Sequence, residues 1–286
     1  MRTLLAIACS AAVMSGCAII VTPDGNGDFQ VHNGFSVTEG NGVVAREQRS
    51  VGTVQGLEVG GAMVVDVRVG PATSLTVEAD GNLLPMIRTD VRGDLLRIST
   101  TGSYRTHNPV HIIYTTPRLT DIRQGGSGRL TVQDLNGAPL NVRHGGSGAL
   151  VLAGQVANLD IESGGSGSVE ADGLLSGSAR LALSGSGRVD VGQVRGDYAD
   201  VRLDGSGQLR AAGAVRTLTA RSSGSGHLDL SKLTSQQGDV SASGSGGVTA
   251  NVRDNLIAQN SGSGGIRVYG NPAQRNVSGR NVQVLN

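Results

Sequence analysis

Eight serines set between glycines are the first groups in this 286-residue sequence that invite a chemical reading: Ser127, Ser147, Ser166, Ser186, Ser206, Ser225, Ser245 and Ser263. A nucleophilic serine on a strand-to-helix elbow needs glycine two places before it and two places after it. Ser166 comes nearest, but Ser168 fills the second place after it, so serine hydrolysis is set aside. The stretch GGSGSVEAD, Gly164 to Asp172, begins like a calcium-binding nonapeptide, yet Val169 stands where that motif needs aspartate and the repeat is far longer than nine residues. The histidines His32, His107, His111, His144 and His227 are scattered; only His107 and His111 are four apart. That spacing serves a metal on a helix, whereas this segment reads as loop and strand. The strongest enzyme case is the pair Glu170 and Asp190, because two carboxylates about 5 to 5.5 Å apart are the equipment of a retaining glycosidase. Against it, Arg210 and Asp229 continue their column as alternating charge, and none of Tyr104, Tyr114, Tyr198 and Tyr269 lines up as a platform for sugar rings. No catalytic residue, cofactor or metal site is expected.

The elements that carry these serines follow from their spacing. Successive serines are 20, 19, 20, 20, 19, 20 and 18 residues apart, a period in the range of solenoids. Three places after each serine stand Leu130, Leu150, Val169, Val189, Leu209, Leu228, Val248 and Ile266. Five places after stand Val132, Leu152, Ala171, Val191, Ala211, Leu230, Ala250 and Val268, and five before stand Ile122, Val142, Ile161, Leu181, Val201, Ala220, Val240 and Ala258. All 24 are apolar in a chain only 38% hydrophobic, which separates the repeat from a flexible glycine-serine tract. Offsets of three and five share one strand face, and the fourth place, largely polar, faces out. A 20-residue unit buries its dry face only by stacking, so the pattern predicts an all-β, single-stranded parallel β-helix (β-solenoid). With no tryptophan and two phenylalanines against 45 glycines, the interior must be narrow and aliphatic. The glycines are expected at corners, where positive φ or a close approach excludes Cβ. The serine oxygens, about 4.8 Å apart from coil to coil, are expected to bond backbone groups there rather than each other.

The N-terminus reads as a lipoprotein signal over residues 1–17: Arg2, an apolar run from Leu4 to Met14 too short to span a bilayer, and small residues before Cys17. Met14-Ser15-Gly16-Cys17 resembles a lipobox, with Met in place of the usual leucine, and Cys17 is the candidate lipidation site. Cys9 leaves with the signal, so the mature chain has no cysteine pair for a disulfide. Ala18, rather than aspartate, after the cysteine points to the outer membrane. Residues 18–50, rich in Gly, Asn and Asp, read as a tether, with Phe29 and Phe35 docking part of it on the domain. The solenoid is expected over 51–286, with N-terminal coils at 51–124 and Gly-Ser-Gly coils at 125–286. A net charge of +1 spread along the chain offers no footprint for nucleic acid. The partners left are the membrane, through the lipid, and an envelope protein or glycan.

The Gly-Ser-Gly coils, the upstream segment SLTVEADGNLLPMIRTDVRGDLLRI (Ser74 to Ile98) and the ending GGIRVYGNPAQRNVSGRNV (Gly264 to Val282) together resemble the head GIN family of bacterial envelope proteins. The resemblance covers Val51 to Asn286 and implies a β-solenoid of unassigned biochemical function. It favours a non-catalytic lipoprotein displaying the solenoid for adhesion, recognition or scaffolding. The alternatives are a polysaccharide-acting β-helix enzyme using surface carboxylates and a structural or stress-related envelope lipoprotein.

Overall fold

β-Branched and aliphatic residues at alternate positions make strands, and the same alternation repeated every coil lets each strand lie parallel on the one before it. The computed structural model describes residues 19–23, 29–33 and 37–285 of the chain. It is an all-β parallel solenoid. The strand Arg188–Leu203 shows the pattern. It pairs in parallel with Ser168–Leu183 on one side and Gln208–Ser222 on the other, which puts Val189 between Val169 and Leu209, and Val201 between Leu181 and Ala220. All 24 residues of the three predicted columns are buried. Burying one such aliphatic side chain contributes about 1.5–3 kcal/mol, and the columns repeat that contribution along the axis.

A fourth inward column, three places before each serine, was hidden by its mixed composition: Gln124, His144, Ser163, Leu183, Leu203, Ser222, Ala242 and Asn260, all buried. The coil closes through a further side whose length varies. Val252 stands seven places after its serine, Val194 eight and Val215 nine, and all three reach the core. In the two 19-residue coils that follow Ser147 and Ser206, the tighter turn uses Gly154 (φ 121°) and Gly213 (φ 131°), a backbone region closed to most side chains.

The Gly-Ser-Gly corners are different. Their glycines have no positive φ; the second of the two expected reasons holds. A Cβ placed on Gly187 would collide with the Gly167 carbonyl of the preceding coil, because the corners stack backbone on backbone. The contact is fixed by bonds such as Gly187 N–H to Gly165 O (3.2 Å) and Arg188 N–H to Gly167 O (3.0 Å).

The segment 51–124 departs from the expected run of coils. Gly56–Val59 and Val64–Val69 form one coil, whose corner at Gly60, Gly61 and Ala62 lies under the first serine corner, with Ser127 N–H donating to Gly61 O (3.1 Å). The chain then lays Leu95–Thr100 and His111–Thr116 in parallel on the opposite edge of that coil. It crosses back afterwards to place Asp121–Gln124 and Arg129–Asn136 on its free edge. Antiparallel strands close the N-terminal end: Ser74–Asp80 beside His111–Thr116, Ile87–Arg92 beside Leu95–Thr100, and Val44–Arg49 beside Ser74–Asp80. An end strand of a solenoid leaves a row of unpaired backbone groups, and these strands cover it.

That cover also takes in the end of the expected tether. Val44–Arg49 falls within residues 18–50, yet it is tied in by the Arg46–Glu78 ion pair and by Arg49, which donates to Ile87 O (2.6 Å) and Leu84 O (3.0 Å). Val37–Glu39 pairs with Ser103–Arg105. The Gly, Asn and Asp that suggested a linker precede Val44–Arg49 in the sequence. Asp80 completes the cap: it is buried and accepts from Thr106 Oγ1 (2.6 Å) and Asn108 Nδ2 (2.7 Å). Those bonds hold its carboxyl below the ordinary value. Ile19–Pro23 and Phe29–Asn33 form a separate antiparallel pair, while Phe35 lies outside the described residues.

The register makes a prediction. Val189→Asp, which buries an unpaired carboxylate between Val169 and Leu209, is expected to cost several kcal/mol, and Gly187→Val is expected to be comparably severe. Arg188→Gln and Ser186→Ala, both on exposed side chains, should stay within about 0.5 kcal/mol. Urea denaturation of the four variants checks this; equal losses at positions 188 and 189 would mean that the faces are misassigned.

Candidate functional site

Because each corner sits directly on the last, the eight serines fall in one file, and all eight are exposed. Six of them, Ser127, Ser147, Ser166, Ser186, Ser206 and Ser225, line a shallow groove of about 930 Å³ that begins at Ala62. On one side the groove is bordered by the second residue after each serine, which brings Arg129, Arg188, Gln208 and His227 to its edge. The hydroxyls do not bond the corner backbone as expected. They point to solvent, and at the last two corners Ser263 Oγ donates to Ser245 Oγ at 3.1 Å. Coil spacing sets the distance between Cα atoms, but two side chains leaning toward each other close the remainder.

The corner carbonyls are served from inside instead. Gln124, from the unforeseen column, donates through Nε2 to Gly128 O (3.1 Å) and Ala149 O (3.3 Å). Asn260 does the same at the far end, to Gly264 O (2.8 Å) and Arg280 O (2.7 Å), and accepts from the Gly262 amide (3.1 Å). His144 occupies the equivalent place one coil after Gln124, 1% exposed, with Ser163 Oγ 3.5 Å from Nδ1. Burial holds the imidazole below the ordinary histidine value, against an opposing pull from the Gly148 backbone. The shared parity of positions three and five before the serine was the signal that could have placed this column.

The carboxylate pair is brought together as the repeat requires: Glu170 and Asp190 are register partners, and Arg210 follows Asp190 in line. Burial pushes the Asp190 carboxyl above its ordinary value, while Arg210, with Nη1 3.9 Å from Oδ1, and Arg188 pull it back. Glu170 accepts from Ser168 Oγ (3.1 Å), and Asp229, next after Arg210, accepts from Ser231 Oγ (2.7 Å). This is a ladder of alternating charge on an outer face, and the serine groove contains neither Glu170 nor Asp190. His111 bonds Asp66 (2.7 Å), His107 is exposed apart from it, and His227 lies at the groove. Among the described residues, no three His, Cys, Asp or Glu side chains gather as a metal would need. Cys17 and the side chain of His32 lie outside the described residues.

A family model described as "Putative auto-transporter adhesin, head GIN domain" matches residues 54–194 and 161–272. The chain belongs to the head GIN family. Solved structures share the fold of this head GIN protein. A "putative adhesin" from Parabacteroides merdae superposes with a TM-score of 0.64 at 16% identity, covering 87% of this chain and 99% of that one. A "putative lipid binding protein" from Parabacteroides distasonis gives 0.63 at 18% identity, covering 88% and 100%. A "putative adhesin" from the same species gives 0.59 at 18% identity, covering 87% and 100%. No curated protein matches.

His144 generates a pH prediction for the head GIN fold. Its folded-state value is depressed, so the unfolded chain takes up the proton first, and stability is full above the unfolded value of about 6.5 and falls as pH drops below it. Gln124 shows that glutamine fits this column and braces the corner without titrating. His144→Gln is therefore expected to flatten the fall between about pH 6.5 and 5 in urea midpoints measured across that window; an unchanged slope would remove His144 as its cause.

Proposed function

We propose that the protein is a non-catalytic cell-envelope module that presents its solenoid for adhesion or recognition, held at the membrane by lipid on Cys17. The observation that carries this reading is the exposed file of corner hydroxyls along a groove of about 930 Å³. It is a rigid polar surface, repeated at one-coil intervals and backed by aliphatic columns. Among the described residues the serine–histidine hydrogen bond, His144 to Ser163, lies in the core rather than at this surface. The description of the head GIN family as adhesin-like supports a location at the cell envelope or surface. The lipobox ending at Cys17, followed by Ala18, supports anchoring in the outer membrane; two or more acyl chains hold a protein there stably. An envelope protein or glycan is the ligand class such a surface suits, and a structural or stress-related role would need none.

The raised carboxyl of Asp190 beside the side chain of Glu170 is the observation that favours the rival reading of a polysaccharide-acting enzyme, since glycoside cleavage uses two neighbouring carboxylic acids, one of them raised above its ordinary value. The ion pair with Arg210 and the continuing charge ladder favour a structural role for the pair. The two readings separate cleanly. The purified protein is expected to release no new reducing ends from envelope polysaccharide, and Asp190→Asn to retain whatever partner the wild type recovers; release of reducing ends abolished by that substitution would establish the enzyme.

The anchor and the surface are tested in the native cell. Cys17→Ser should abolish metabolic labelling with palmitate and leave the protein in the soluble or uncleaved fraction. A pull-down from envelope extract should recover a partner with wild-type protein and lose it with Ser166→Arg and Ser206→Arg combined, which fill the groove without touching the core. Unchanged labelling overturns the lipid anchor, and unchanged recovery overturns the groove as the recognition surface.

A further inference from the structure

The flank of the corner opposite the serine groove carries a second depression, of about 510 Å³. Two outward columns build it. Four residues before the serines, Arg202, Arg221, Ser241 and Gln259 stand in register on successive coils, and Ser278 continues the column as the partner of Gln259. Two residues before the serines, Asp204, Ser223, Ser243 and Ser261 follow in step, fixed by amide bonds of 2.9 Å from Ser223 to Leu203 O, Ser243 to Ser222 O and Ser261 to Ala242 O. The backbone lattice therefore sets polar groups at about 4.8 Å along the axis and about 6.6 Å along the strand.

The charged side chains that line the depression are two arginines, Arg202 and Arg221, and one aspartate, Asp204. Arg202 is paired with Asp204 (2.5 Å), whose other oxygen accepts from Ser223 Oγ (2.7 Å). The Ser223 bond, together with Arg202, holds the Asp204 carboxyl below its ordinary value against burial. Arg180 is shared between Asp160 (3.5 Å) and Asp200 (3.9 Å). Arg221 enters none of these pairs although it stands directly beside Arg202, a like-charge placement that costs stability in a sheet. Asp200 and Asp239, the register partners of Thr219 on either side, and Asp204, in step with Ser223, are each diagonal to Arg221 at about 8 Å by the same lattice. Among the described residues Arg221 thus enters no ion pair, and its guanidinium faces a depression whose other lining includes the hydroxyls of Ser223, Ser241 and Ser243, the amide of Gln259 and the Asp204 carboxylate already held by Arg202.

We infer that this depression binds an acidic oligosaccharide, with Arg221 taking a sugar carboxylate and Ser223, Ser241, Ser243 and Gln259 taking ring hydroxyls. A guanidinium fork matches a carboxylate with two parallel hydrogen bonds. Serine hydroxyls both donate and accept, as the hydroxyls of a sugar do, so a lattice of them meets a sugar face without leaving a group unpaired. The inference deepens the recognition reading by naming a ligand class, and it uses the flank that the serine groove does not.

Titration calorimetry at low ionic strength with trigalacturonate tests it, with maltotriose and inorganic phosphate as the neutral and the simple-anion arms. Wild type is expected to bind trigalacturonate at least tenfold more tightly than either. Arg221→Ala should weaken that binding tenfold or more, Arg221→Lys by an intermediate factor because it keeps the charge and loses the fork, and Ser241→Ala with Ser243→Ala by a few-fold. Arg92→Ala, on an exposed arginine of the N-terminal cap, should leave it unchanged. Absence of binding, equal binding by Arg221→Ala, or phosphate binding as tight as trigalacturonate each overturns the site. An envelope pull-down that still recovers a partner alongside a null titration would fail this site alone, whereas loss of both would also fail the recognition reading.

Discussion

The backbone-to-backbone contact at the corners governs the rest of the molecule. Each coil rests its glycines on the carbonyls of the coil before it, as Gly187 rests on Gly167, and this fixes both the rise from coil to coil and the rotation between them. Once the corner is fixed, the residues three and five places along have nowhere to go but into the interior, and those between them nowhere but out. The aliphatic columns then stack side chain on side chain, so that Val189 meets Val169 and Leu209 rather than a varied set of neighbours. A core so narrow needs few aromatic residues, which explains how a chain with no tryptophan and two phenylalanines keeps a continuous dry interior.

Much of this was legible because the repeat is strict where packing is strict. The columns through Leu130, Val132 and Ile122 could be read directly, since a single polar residue there would bury an unpaired group on every side. What escaped was whatever the repeat does not constrain. The column of Gln124, His144 and Asn260 mixes polar and apolar residues because its members either brace a corner carbonyl or simply fill space, and composition alone gives no common signature. The N-terminal cap escaped for a related reason: Ala62 takes the place of a serine, and antiparallel pairing between Val44–Arg49 and Ser74–Asp80 joins segments whose partnership no periodicity announces. The serine hydroxyls were misjudged through geometry, since their outward aim depends on the corner's exact turn. The pairing of Glu170 with Asp190 was legible, whereas the burial of Asp190 was not, because an outward offset in the repeat carries no measure of how far its neighbours enclose it.

The surface divides by chemistry along the same corner. One flank holds a groove of hydroxyls, the other a lattice in which Arg221 is left over from the local pairs, and the outer face beyond carries alternating charge. A solenoid makes such division easy: any outward column can change its composition without disturbing the columns inside, so that surface chemistry and core packing are written at different offsets of one repeat. The low identity to solved relatives of the same fold, 16% and 18%, fits this separation.

The first coil, Gly56–Val59 with Val64–Val69, is flanked on one edge by residues 95–100 and 111–116 and on the other by residues 121–124 and 129–136. Its two edges are thus filled in order by chain that emerges later, and the capped side is complete before the first serine corner exists. A polypeptide delivered N-terminus first across a membrane would finish a closed template and then extend it one rung at a time, each rung templated by the edge of its predecessor. Every strand pairing made after residue 136 is to a segment roughly one period away, so the long-range entropy of assembly is concentrated in the cap. The crossing-back of the chain at residues 117–121 therefore gives the molecule a direction of growth as well as a shape.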